Sequence, residues 1–265
     1  MDNELVIRHL KTVEEHLQME KIQGEIWCPQ EAVPMSQTLT AVKNGGSAIG
    51  LYAGDDLVGF CYAFPGYKNE KSYLCSHMLG LKEQYRHGGW GEKLKLAQRE
   101  EALNLGYDLI TWTYDPLESP NANLNIAKLR ATVRNYLVNC YGEMRSSINV
   151  GLPSDRFLAE WHITSDRIDK SVHERTIDVD TYIAQMDFTE EDPYLIDVDL
   201  TLEDDVLLFP IPVNFREIRM KNPRLALDWR MKAREVFEAY FTRGYVVTDF
   251  LPGQRANSYL LEKEV

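Results

Sequence analysis

The chain has 265 residues, 44% hydrophobic and 26% charged, the balance of a globular protein with one large domain or two small ones. Its net charge of −12 argues against a general nucleic-acid binder, which needs a basic footprint. No run approaches the roughly 18 apolar residues of a membrane span, and the opening MDNELVIRHL lacks the basic-then-apolar order of a secretory signal. A cytoplasmic protein without membrane or nucleic-acid partners is expected. Cys28, Cys61, Cys75 and Cys140 lie far apart and form no CxxC pair, so they read as reduced thiols.

In chain order, Leu5–Leu10 reads as a strand and a helix opens near Thr12, where Thr12-Val-Glu-Glu15 has the spacing of a capping box. Ser47–Ala53 and Leu57–Phe64 are apolar runs joined by Gly54-Asp55-Asp56, a hairpin signal. Tyr73–Leu81 is a further strand, ending at the loop Gln84–Gly91. A helix follows over Glu92–Leu105, with Leu94, Ala97, Glu101 or Ala102, and Leu105 at helical period and Gly106 at the C-cap position. Leu109–Tyr114 is then a strand stopped by Asp115-Pro116, and Asn121–Arg130 a helix leading to apolar segments at 136–141 and 157–161. Between Ser171 and Asp205 twelve acidic residues face a single base, Arg175; this stretch reads as a connector with one or two short strands. Past it come a strand at Val206–Pro212, a helix at Pro223–Arg243 and a strand at Tyr245–Leu251. In that helix Leu227, Met231, Arg234 or Glu235, and Glu238 trace one side. The element order predicts an α/β protein with a mixed sheet.

The chemistry concentrates at Arg86-His87-Gly88-Gly89-Trp90-Gly91, between a strand and a helix. Glycines let the chain turn with positive φ and bring backbone N–H groups close to a ligand, while the helix points its positive dipole end at the same place. Together they make an anion site suited to a phosphate or diphosphate, to which Arg86 and Lys93 can add charge. A P-loop needs GxxxxGK[ST], which the chain lacks. A dinucleotide fingerprint needs a third glycine where Leu94 stands. The string [Q/R]xxGx[G/A] is met by Arg86-x-x-Gly89-x-Gly91.

With its flanking strands and helix, the stretch LGLKEQYRHGGWGEKLKLAQREEALNLGYDLITWTYDP resembles the central segment of the GNAT superfamily of acyl-CoA-dependent N-acyltransferases. The resemblance extends by element order over residues 1–165. It implies a GNAT-like fold there, with 171–265 as an acidic connector plus added C-terminal strands and a helix, or a small second domain. It implies an acyl-CoA cosubstrate, acetyl or succinyl, and an acceptor that is a small amine or amino acid. Leu79, Gly80 and Leu81 would offer backbone groups to pantetheine, and one of their amides would polarise the thioester carbonyl. Arg86, His87, Gly88, Gly89, Trp90, Gly91 and Glu92 would hold the diphosphate. Asn121 or Asn125 would bond the pantetheine arm. The tyrosine that often protonates the leaving thiolate is missing from its usual place, and Tyr136 and Tyr141 are the nearest substitutes.

The reaction also demands a base, because an amine of pKa about 10 loses about 4 kcal/mol of nucleophilic population at neutral pH. His77, on the strand before the loop, is the candidate, placed as in certain GNAT-like arylalkylamine acyltransferases. The bland alternative is a hydrogen-bonded strand histidine. Cys75, two residues back on the same face, raises a covalent acyl-cysteine route, but the superfamily's usual route is direct transfer. Asp155-Arg156, Trp229-Arg230 and Arg234-Glu235 read either as structural ion pairs or as arginines offered to an acidic acceptor. His162 and His173 have no partner at ligand spacing and no HExxH occurs, so no catalytic metal is expected. A homodimer is compatible with this reading. The rival functions are a non-catalytic acyl-CoA sensor and a nucleotide-dependent oxidoreductase.

Overall fold

A computed structural model describes residues 4–142, 152–168, 181–188 and 192–264; His173 and part of the acidic stretch lie outside them. The chain divides into two compact units, Met1–Trp112 with His162–Thr164, and Thr113–Trp161 with Ser165–Val265.

The first unit opens with β1 (Leu5–His9) and α1 (Val13–Ile26), and the capping box forms as its spacing predicts. The Thr12 hydroxyl accepts from the Glu15 amide, and the Glu15 carboxylate accepts from the Thr12 amide at 3.0 Å. A second helix, α2 (Met35–Lys43), is absent from the sequence reading. Strands β2 (Ser47–Ala53), β3 (Asp56–Lys68) and β4 (Lys71–Leu81) then form an antiparallel meander. β3 runs on through Pro65-Gly66 instead of stopping at Phe64, and the turn is made by Asn69 and Glu70, both with positive φ. At Gly66 the Tyr73 ring of the paired strand occupies the space a side chain would need. Helix α3 (Trp90–Asn104) leads to β5 (Leu109–Tyr114), which pairs parallel with β4.

The strand order in this unit is β1-β2-β3-β4-β5. One face packs Met19, Ile22 and Ile26 of α1 and Ala41 and Val42 of α2 against Tyr52, Phe60 and Tyr62. The opposite face packs Leu94, Trp90 and Ala97 of α3 against Ile49, Leu51, Val58 and Cys61. Leu105 is exposed, and Lys95 and Gln98 join the buried face of α3 in its place.

In the second unit α4 (Ser119–Ala122) widens into a π-helical turn over Asn123–Lys128, where an ordinary helix is predicted. The Leu129 amide reaches back to the Leu124 carbonyl at 2.9 Å, and Arg130 follows with φ 62. β6 (Thr132–Leu137) and β7 (Arg156–His162) follow, then β8 (Ala184–Phe188) and β9 (Pro193–Val198) as a separate hairpin in the acidic stretch. β10 (Val206–Pro212), α5 (Phe215–Lys221), α6 (Pro223–Thr242), β11 (Tyr245–Leu251) and β12 (Ala256–Lys263) complete the chain in the order β7-β6-β11-β12-β10. The buried side of α6 is Ala226, Trp229, Arg230, Ala233, Val236, Phe237 and Tyr240. Leu227 and Met231, which trace one side by helical period, are exposed. The Phe237 ring meets Phe157 at 4.5 Å and Phe209 at 5.1 Å, an aromatic centre that outweighs the two aliphatic residues.

Candidate functional site

In the first unit the chain makes a fork. β4 and β5 are in register at Leu74↔Ile110 and Cys75↔Thr111, and among the described residues their pairing goes no further. β4 continues to Leu81 with β3 as its one strand partner among the described residues, the Leu81 carbonyl accepting besides from Arg86. The stretch from Ser76 to Leu81 therefore has an edge on which alternate residues present N–H and C=O groups, the kind of edge an extended ligand can join as a strand. Leu79, Gly80 and Leu81 lie on it.

The same strand carries a bulge. Tyr62 faces Met78 and Ala63 faces Ser76, so His77 has no residue opposite it. A bulge puts two neighbouring side chains on one face and bends the strand, and such irregularities gather beside active sites. His77 shares the α1/α2 face with Tyr62, its ring centroid 6.3 Å away, and with Phe64 at 5.6 Å. The residue is exposed on its other side, and loss of water on the packed side lowers its pKa, which favours the neutral imidazole with a free lone pair. Cys75 faces Phe64 across the strand pair and so shares that surface. Burial pushes its thiol pKa up despite Lys95 and Thr111, which makes it a weak nucleophile.

Past β4 a short 3₁₀ turn (Glu83–Tyr85) delivers the loop to α3. Gly89 is the N-cap residue with φ 71, a left-handed conformation that favours glycine. The first bond of the helix runs from the Lys93 amide to the Gly89 carbonyl at 3.2 Å, so the amides before it lack intrahelical acceptors. His87, Gly88 and Gly89 are exposed, while Trp90, Gly91 and Glu92 are half-buried. The two expected cations are partly engaged: Arg86 Nε donates to the Leu81 carbonyl at 3.2 Å, and Lys93 Nζ lies 4.0 Å from the Trp90 ring centroid.

The remaining expected residues belong to the second unit. Asn125 is buried in the π-helical turn and Asn121 is exposed at its approach. Tyr136 donates to Asp155 at 2.8 Å, and burial drives its pKa far upward. Tyr141 is 53% exposed, its hydroxyl 2.6 Å from Thr113 Oγ1. Arg156 donates to the main-chain carbonyl of its neighbour Asp155 at 2.8 Å and lies 3.9 Å from the Asp115 carboxylate. Arg234 binds the Asp155 carboxylate at 2.9 and 2.8 Å, and the Asn139 amide adds a bond at 2.9 Å. Arg230 is buried against Asp115 at 2.5 Å, and Arg130 against Asp249 at 3.1 Å. These three arginines thus have structural carboxylate partners far along the chain.

Sequence reasoning missed Lys95. Its ammonium is buried, donates to Ser76 Oγ and Gln98 Oε1 at 2.9 Å each, and lies 3.8 Å from the Trp112 ring centroid. Burial brings its pKa down to about 8. A lysine in an amphipathic helix reads as solvent-facing, and the only local hint is its place beside Leu94 on the apolar side.

Among the described residues no helix is long and apolar enough to cross a membrane. No protein-family model matches the sequence, and no curated protein matches it. Among solved structures the chain is similar to an acetyltransferase of the GNAT family from Streptococcus pneumoniae, at 11% identity and TM-score 0.49, covering 59% of this chain and 98% of that one. It is similar to aminoglycoside 6'-acetyltransferase type Ii at 17% identity and TM-score 0.49, over 60% and 98% of the two chains. It is also similar to Arabidopsis thaliana NAA60, solved with acetyl-CoA, at 14% identity and TM-score 0.46, over 60% and 99%.

Proposed function

We propose that the protein is an acyl-CoA-dependent N-acyltransferase that moves an acetyl or succinyl group to the amine of a small molecule. The observation that carries the reading is the fork: β4 leaves β5 after Cys75↔Thr111 and then leads directly to a glycine-capped helix. An open strand edge followed by an anion-binding helix start matches a ligand with an extended amide-bearing arm and a diphosphate at its end. Pantetheine joined to a nucleotide diphosphate is such a ligand.

In this reading Leu79, Gly80 and Leu81 bond the pantetheine arm, and one of their amides stabilises the oxyanion as the amine attacks the thioester. Losing one such donor costs about 3–4 kcal/mol of activation energy. The amides from His87 to Gly91, with Arg86 and the first turn through Glu92, hold the diphosphate. Neutral His77 accepts the amine proton, directly or through water. We assign the chemistry to residues 1–165 and leave 171–265 as an acidic connector plus a C-terminal extension or a small second domain.

Isothermal calorimetry with acetyl-CoA, succinyl-CoA, NAD and ATP tests the reading, followed by thiol release against a panel of primary amines. Binding of a CoA thioester, with thiol release that depends on the amine, is expected. Indifference to CoA and its thioesters overturns it, and binding without turnover turns the protein into an acyl-CoA sensor.

A further inference from the structure

The buried lysine of α3 stands at the fork itself. The last paired residues of β4 and β5 are Cys75 and Thr111. Ser76 and Trp112 are the next residue on each strand, and Lys95 touches both, the first by a hydrogen bond of 2.9 Å and the second across its ring face at 3.8 Å. Ser76 also precedes the unpaired bulge residue His77. One side chain from the opposite layer therefore grips the two strands where they separate and holds the residue next to the candidate base.

We propose that Lys95 is a positioning residue of the acyl-transfer centre: it fixes the point at which β4 and β5 part and, through Ser76, the setting of the bulge that carries His77. The proposal rests on the acyl-CoA reading above.

The physical case is one of cost against use. An ammonium in a protein interior is expensive and is retained only with hydrogen bonds and an aromatic face to meet it. Here Ser76, Gln98 and Trp112 do so. The titratable groups that act on its charge are the thiols of Cys61 on β3 and Cys75 on β4, both raised by burial. An apolar residue of similar volume often serves stability as well or better at such a site. What an apolar residue cannot do is direct a bond at Ser76. His77 for its part is exposed on one side and has its ring against Tyr62 and Phe64 on the other, where loss of water lowers its pKa, so a change in the setting of the bulge is readable in its titration.

The test is Lys95→Met, with Ser76→Ala as a second variant that leaves the lysine in place. Each is compared with wild type by calorimetry with acetyl-CoA, by melting temperature, and by the pH profile of amine-dependent thiol release. The expected result is a melting temperature no lower than wild type for Lys95→Met and acetyl-CoA affinity within about threefold. Turnover is expected to fall by about tenfold or more, since small displacements of catalytic groups cost that much. The pH inflection should move up toward the ordinary imidazole range as the bulge relaxes, and Ser76→Ala should show the same shift with a smaller loss. Wild-type turnover and an unmoved inflection in either folded variant would overturn the proposal. If Lys95→Met does not fold, Ser76→Ala decides alone. Failure of wild type to bind acetyl-CoA overturns the acyl-CoA reading and this inference with it.

Discussion

Arg234 holds the carboxylate of Asp155 in a two-point grip, 2.9 and 2.8 Å, from 79 residues further along the chain. Burial works to raise the Asp155 pKa, but the bonds from Arg234, the Asn139 amide and Tyr136 outweigh it and hold the group below its usual value. A carboxyl lowered in the folded state adds stability above its unfolded pKa of about 3.9 and loses it as pH falls toward the folded one. Asp155→Ala should therefore destabilise the protein by about 1–3 kcal/mol at neutral pH, because the half-buried Arg234, the Tyr136 hydroxyl and the Asn139 amide all lose their acceptor. Urea unfolding at pH 7 and pH 3 checks this: the difference between variant and wild type should shrink in acid.

His77 is the group expected to set the acid limb of the pH profile. Its pKa is lowered by loss of solvent, so the rate should rise with pH through an inflection below the ordinary imidazole value, the neutral form being the active one. His77→Ala should remove the inflection and reduce turnover about a hundredfold or more, the range of positioned acid–base catalysis, while acetyl-CoA affinity changes little. A pH-rate series with parallel calorimetry reads both.

Gly89 has open space where a side chain would sit, yet its φ of 71 is one that L-residues rarely adopt. Gly89→Ala should cost about 1–2 kcal/mol of stability through the backbone alone. Acetyl-CoA affinity should fall as well, because the amides following Gly89 lose their presentation. Differential scanning calorimetry and binding titration measure the two effects separately.

Thr12 offers a control far from the proposed chemistry. Thr12→Ala removes the acceptor for the Glu15 amide and should cost about 1 kcal/mol in denaturant unfolding. Acyl transfer should be unchanged.

The elements legible in the sequence are those whose signals are local. The capping box at Thr12 opens α1 where its spacing says, and Leu109–Tyr114 and Val206–Pro212 are strands with the expected bounds. Pro65-Gly66 misleads because both residues ordinarily end strands; here the glycine makes room for Tyr73 across the hairpin, and β3 runs on. α2 has no side-chain hydrogen bond at its N-cap, Pro34, so no capping signal announces it. The inner face of α6 is set by Phe157 and Phe209, contributed by strands remote in sequence, which helical period alone cannot supply. The candidate site divides in the same way. The glycine loop and the helix start are contiguous and readable from residue order. The bulge at His77 exists only against the register of β3, and the burial of Lys95 only against Ser76 and Trp112. Arg156 shows the same limit, since the carboxylate beside it in sequence is claimed by Arg234.

The wide turn at 123–128 makes the placement of Asn125 a matter of counting. Its bond from Leu129 to Leu124 skips one residue more than an α-helix would. Deleting a single residue there would let the segment wind as an ordinary helix with the chain beyond keeping its direction, while residues inside the turn, Asn125 among them, would rotate by about 100° about the axis relative to it. The length of this short piece of backbone is thus as much a specification as any side chain it bears, and shuffling or trimming the chain nearby would scramble its aim without altering its composition.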